Sequence, residues 1–308
     1  MKKTLLFLLP VAALLCLFEA ALRTIPNNFV YKKERMITDA QNIDVLILGS
    51  SHAMTSIDPA FISPHAFNAG NSAQRLDMDY KLLRKYGEQM KNLRCVIISL
   101  SDFSLISRMA DEPYLFRRYI IYHDVFFGLE SFSPKNYFEI CDGTFVSNIK
   151  KLLSYYKENK TIITRKGNGF IPHNQTIDEA EWEDGKLMAA FRKYAAVFYQ
   201  NDRDVDYNEK ILTSIIDWCA ARNIQLFFVT VPVHKIYLRN YDFALLRETI
   251  AYMERLAQQN TNVTYENFFF EYQDIPEYFS NPNHLNATGA RVFSVQIREI
   301  LRARGLLE

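Results

Sequence analysis

The run Ile43-Asp44-Val45-Leu46-Ile47-Leu48 ends abruptly in Gly49-Ser50-Ser51-His52, and this stretch constrains the fold more than any other. A short aliphatic run bounded by glycine reads as a strand buried on both faces, the type found in parallel sheets. Open α/β sheets carry their chemistry beyond the carboxyl ends of the strands. Gly49 allows a sharp turn there, with the Ser51 hydroxyl lifted out of the strand end. Gly-Ser-Ser also fits an ordinary strand-to-loop turn, since both residue types favour turns.

The rest of the chain repeats the pattern. A short strand followed by a turn is expected over 66–72, strands at 95–100, 224–231 and 262–268, and helices from Ser72 to about Met90, Tyr207 to Ala221, Phe243 to Asn260 and from Ala290 onward. Asp58 before Pro59, Ser72 and Asp242 are expected caps. Strands alternating with helices predict a three-layer α/β/α domain around a central parallel sheet of about five strands. Right-handed crossovers would gather the strand ends bearing Ser51, Asn71, Ser101 and His284 on one rim. Residues 104 to about 205 interrupt this rhythm with helical stretches at Phe145–Tyr156 and Lys186–Tyr199 around a turn at Arg165–Phe170. They read as a mainly helical insertion capping the sheet.

A second stretch bears on the first: Phe279-Ser280-Asn281-Pro282-Asn283-His284-Leu285-Asn286-Ala287-Thr288-Gly289-Ala290. A loop histidine before an apolar-periodic segment is placed to reach a strand end, and a serine nucleophile needs such a base. Together the two stretches resemble the SGNH (GDSL-like) hydrolase superfamily, whose nucleophile follows strand one in a Gly-x-Ser turn and whose base lies in a C-terminal Asp-x-x-His. The segment from His284 to Ala290 looks most like its membrane-tethered branch, which includes the teichoic acid D-alanyl transfer protein and the alginate O-acetylation proteins.

The resemblance implies a flavodoxin-like sheet, Ser51 as nucleophile and His284 as base. It implies oxyanion donors from the Ser51 backbone and from two further blocks. Here the chain departs from the family. Ala73 falls where a glycine is expected, and Ser101 where an asparagine is expected; Asn71 is an alternative donor. Asn281 replaces the aspartate, which removes the charge that would stabilise an imidazolium but leaves an oxygen to orient the ring. Asp274 is a distant replacement carboxylate. His52 and His234 are expected to line the pocket.

Met1-Lys2-Lys3 and the apolar run from Thr4 to Leu22 approach the ~20 residues of a membrane span. Residues 1–25 are expected to form an uncleaved signal anchor, with a cleaved signal peptide as the alternative. A polar tether over 26–42 and an α/β domain over 43–308 follow. Both alternatives put the main domain outside the cytoplasm, in a periplasm, on a cell surface or, after cleavage, secreted.

A net charge of +1 over 308 residues offers no electrostatic footprint for nucleic acid. The 14% aromatic share suits a large core or a carbohydrate-facing cleft. Cys95, Cys141 and Cys219 have no motif spacing and read as buried free thiols, with one disulfide left open. No metal or cofactor is expected. Three functional readings follow. The first is a serine esterase or acyltransferase acting on acyl groups of an envelope polysaccharide or glycolipid. The second is a catalytically impaired accessory protein that binds glycan or assists a membrane-bound O-acyltransferase. The third is a structural envelope protein with no chemistry.

Overall fold

The structure, a computed structural model, describes residues 2–109, 113–126, 128, 132–158, 167–174, 176, 205–238 and 243–307. The chain divides into two compact units. One comprises Met1–Arg35 with Glu112–Thr164, the other Met36–Asp111 with Arg165–Glu308.

The second unit is built on five parallel strands: β1 (Val45–Gly49), β2 (Ala66–Asn68), β3 (Cys95–Leu100), β4 (Gln225–Thr230) and β5 (Val263–Asn267). Their order is β2-β1-β3-β4-β5, with β3 central between β1 and β4. Val45 to Leu48 and Cys95 to Ile98 are completely buried, which is why these segments read as unbroken apolar runs rather than alternating ones. The connecting helices include α3 (Ser51–Ser56), α4 (Leu76–Tyr86), α7 (Val205–Ala220), α8 (Lys235–Leu238), α9 (Phe243–Gln259) and α10 (Ala287–Ala303). The α/β class expected from the alternation is the one observed.

Strand register fixes the level of the site. Gly49 of β1 lies opposite Ser99 of β3, so Ser50 and Ser51 emerge beside Leu100 and Ser101. Gly49 has φ +123°, and a Cβ there would collide with the Ser99 side chain. Only glycine turns the chain here without strain. Gly70 is also confined, since its Cβ would lie 2.9 Å from the Gly49 carbonyl oxygen. Beyond β2 the backbone still bonds to β1, with Ala69 N–H donating to Ile47 O at 2.8 Å and Asn71 N–H to Gly49 O at 3.1 Å.

Several local expectations are corrected. The helix expected from Ser72 begins at Leu76, because Ala73 adopts φ +51° and breaks the helical path. Asp58 caps a 3-10 turn, Pro59–Phe61, rather than an α-helix. The last helix starts at Ala287, capped by Asn286, whose side-chain oxygen accepts from Thr288 and Gly289 N–H, both at 3.0 Å. The loop before it contains a hairpin of β6 (Phe279–Asn281) and β7 (His284–Leu285), in which Asn281 and His284 are cross-strand partners.

The first unit contains α1 (Lys2–Arg23), the start of α2 (Asn28–Thr38), α5 (Pro113–His123) and α6 (Phe145–Glu158). The tether expected over 26–42 is thus largely helical. Asn27 caps α2 by accepting from Phe29 and Val30 N–H at 3.0 and 3.1 Å, and Phe29 and Met36 are buried. Among the described residues no single helix is long and apolar enough to cross a membrane; α1 and α2 meet that test only as a pair bent by 65°. The helix expected over 186–199 and the cap Asp242 lie outside the described residues. Cys95 and Cys219 are buried thiols pushed up to about 12 by burial, whereas Cys141 is exposed, contrary to expectation.

The Gly49 turn yields a stability test. Gly49→Ala combines a left-handed backbone with a steric collision, so chemical denaturation should show a loss of about 2 kcal/mol or more. An unchanged midpoint would mean that the turn relaxes freely.

Candidate active site

Ser51 is the first residue of α3, immediately past the Gly49 turn. Ser50 caps that helix, its hydroxyl accepting from His52 N–H at 3.3 Å. The Ser51 N–H lies in the first helical turn, where amides have no intrahelical acceptor. The Ser51 hydroxyl is 2.8 Å from His284 Nε2. On the other side of the same ring, Nδ1 is 3.0 Å from Asn281 Oδ1.

The hydrogen-bond pattern assigns the protons. Asn281 Oδ1 also accepts from the Asn283 backbone N–H at 3.1 Å, and a backbone amide can only donate. The Asn281 atom facing the ring is therefore the oxygen, so Nδ1 carries the proton and Nε2 is left to accept from Ser51. This is the tautomer a general base requires. The β6–β7 hairpin explains why the two side chains meet: opposite residues in an antiparallel pair sit within side-chain reach. Asp274 takes no part in this. It is exposed and lies 3.6 Å from Lys235, so it is not a replacement carboxylate.

Two further imidazoles surround His284. The His52 ring centroid is 5.2 Å away and that of His173 is 6.0 Å away, the latter nearly parallel at 28°. Burial, with Arg75 nearby, lowers His52 to about 4. Burial also lowers His173, and it lowers His284 well below the usual imidazole range, helped by its two neighbours. All three are neutral at pH 7. Among the described residues no group of three His, Cys, Asp or Glu side chains is arranged to hold a metal ion.

The expected oxyanion residues divide. Asn71 is only 3% exposed, and its side-chain Nδ2 has no acceptor among the described residues. Its backbone is tied to Gly49 O, so this donor lies at the nucleophile turn. Ala73 adopts a left-handed backbone, φ +51°, that glycine would take at no cost. Ser101 is otherwise occupied: its hydroxyl is 2.5 Å from His52 Nδ1 and its N–H donates to Ser104 Oγ at 2.8 Å. The His234 ring is fully buried against Phe279, at 5.5 Å between centroids, and its backbone N–H donates to the Pro282 carbonyl at 2.9 Å. These contacts support the hairpin that carries His284.

Sequence reading missed Asp79. This buried carboxylate on α4 accepts from Gly49 N–H at 2.9 Å and from Gln74 Nε2 at 2.5 Å, joining the nucleophile turn to the segment that holds Asn71 and Ala73. Burial raises it to about 7. Two nearby acids, Asp77 and Asp79, on a predicted helix were the only signal, and acids on helices usually face water.

No family model matches the chain, and no curated protein matches it in sequence. Solved structures offer loose likenesses. One is a GDSL-like lipase from Bacteroides thetaiotaomicron, 10% identical, with 90% of this chain and 99% of that one covered at a TM-score of 0.46. Another is a protein provisionally named an acylhydrolase from Bacteroides fragilis, also 10% identical, with 89% and 97% covered at a TM-score of 0.46.

Proposed function

We propose that this chain is a serine esterase or acyltransferase of the SGNH type, acting on acyl groups of an envelope polysaccharide or glycolipid. The observation that carries the reading is the continuous relay from Ser51 Oγ to His284 Nε2, at 2.8 Å, and from His284 Nδ1 to Asn281 Oδ1, at 3.0 Å. Ser51 Oγ attacks the ester carbonyl carbon while its proton passes to Nε2, and the carbonyl electron pair moves onto oxygen. The Ser51 N–H and Asn71 Nδ2 are the donors proposed for that oxyanion. When the intermediate collapses, the bond to the leaving alcohol breaks and His284 returns the proton to it. Water or an acceptor hydroxyl then repeats the sequence in reverse and releases the acyl group.

Asn281 limits this scheme. Its oxygen orients the ring, but its neutral amide leaves the imidazolium without a counter-charge. That observation favours the second reading, an accessory protein that binds acylated glycan or assists a membrane-bound O-acyltransferase. For localisation, the Lys2-Lys3 start and the apolar run after it support anchoring by the N-terminal segment with the main domain outside the cytoplasm.

Turnover of a small aryl acetate separates the two readings. Ser51→Ala should abolish it, and Asn281→Asp should raise kcat by about tenfold or more by supplying the missing charge. Asn281→Asp combined with Ser51→Ala should show none of that gain. If neither the natural chain nor Asn281→Asp turns over an ester while an acylated glycan still binds, the accessory reading holds.

The pH profile offers an independent check. Protonating His284 places a charge in a desolvated site beside two other imidazoles, so its neutral form persists below the ordinary imidazole value of 6.5. The acid limb of log kcat/KM should therefore fall below pH 6.5. An inflection at or above that value would mean that another group is the base.

A further inference from the structure

The first unit displays an apolar surface that its own packing leaves uncovered. On α1, Leu8, Leu9, Val11, Leu14, Leu15 and Leu17 are exposed. Beside them, Phe145 and Val146 at the start of α6 are 63% and 60% exposed, and Phe132 and Phe138 are more than 45% exposed. Two contacts tie α1 and α6 together along this edge. Phe18 of α1 meets Phe145 at 5.3 Å between ring centroids, and Thr24 is hydrogen-bonded to Tyr156 near the end of α6.

Glu19 marks where this edge turns polar. It would be costly in an apolar surrounding unless satisfied. Its carboxylate pairs with Arg23 at 2.6 Å and accepts from Glu139 and Ile140 N–H at 2.9 and 2.8 Å. Arg23 in turn donates to the Tyr137 carbonyl at 2.6 Å. The acid that interrupts the apolar run is thus neutralised by the unit itself. The segment from Tyr137 to Ile140 is also held against α1 just past its leucine-rich part.

We propose that this edge docks on an anionic lipid bilayer, with Phe138, Phe145 and Val146 at the acyl boundary and Lys150 and Lys157 at the headgroups. The exposed face of α6 mixes large apolar and aromatic residues with these two exposed lysines. That mixture suits the interface of an anionic membrane, where long basic side chains reach the headgroups. Protein–protein interface cores, by contrast, are depleted in lysine. The proposal rests on the anchoring reading of α1 and extends it to a second, non-contiguous part of the chain.

The test uses the full chain in vesicles of phosphatidylcholine and phosphatidylglycerol with brominated acyl chains. Leu14→Trp and Val146→Trp are compared with the natural protein, whose own tryptophan emission is subtracted. Both introduced tryptophans should lose about twofold or more of their emission to the bromines, as expected at the acyl boundary. Quenching at Leu14→Trp alone overturns the docking edge and leaves the anchor standing. Quenching at Val146→Trp alone removes the anchor, and with it the docking edge as a surface shared by α1 and α6. If neither is quenched, both fall. A tryptophan at 146 that is shielded from bromine but buried in a dimer in detergent would assign the edge to a second copy of this chain, which also overturns the proposal.

Discussion

The arrangement depends on how one amide is held. Gly49 N–H ends β1, and the Asp79 carboxylate accepts from it at 2.9 Å. The left-handed turn at Gly49 aims Ser51 out of the sheet, and Asp79 pins the start of that turn while also holding Gln74. The Ser51 hydroxyl and the proposed oxyanion donors are therefore referred to one buried anchor. A carboxylate moved out of water costs free energy unless it is hydrogen-bonded. Its acceptance of both donors offsets that cost, and its rise to about 7 records that the offset is incomplete.

His284 arrives by a separate route. The hairpin places Asn281 opposite His284, Asn286 caps the helix that follows, and the His234 amide holds the Pro282 carbonyl between them. None of these contacts involves the nucleophile turn. The site is where two separately supported structures meet, joined by the Ser51–His284 hydrogen bond and by the His52 ring beside His284. Such a division favours preorganisation, because each half is rigid before the substrate enters.

Much of this was legible in the sequence, for physical reasons. Central strands of a parallel sheet are buried on both faces, so Val45–Leu48 and Cys95–Leu100 announce themselves by composition. The serine and histidine stretches are legible because glycine, asparagine and proline restrict the backbone. What escaped depends on tertiary contact. The hairpin around Pro282 has strands too short for any periodicity to register. Asp79 looks like a solvated helix acid until Gly49 is brought to it. Helix α2 was hidden by its charged residues, although Asn27, Phe29 and Met36 carry its cap and buried face. His234 was placed correctly at the end of β4, but its side chain turns inward onto Phe279.

Ser51 and His284 are separated by 233 positions, so their pairing is a long-range contact. In translation the Ser51 turn leaves the ribosome well before His284 does, and the two cannot meet until the intervening chain has been made. The loop-closure cost of bringing them together is met before the pair itself returns anything. The contact at the centre of the candidate site is therefore a late event in folding, formed when the hairpin docks on a sheet whose first strands are already in place.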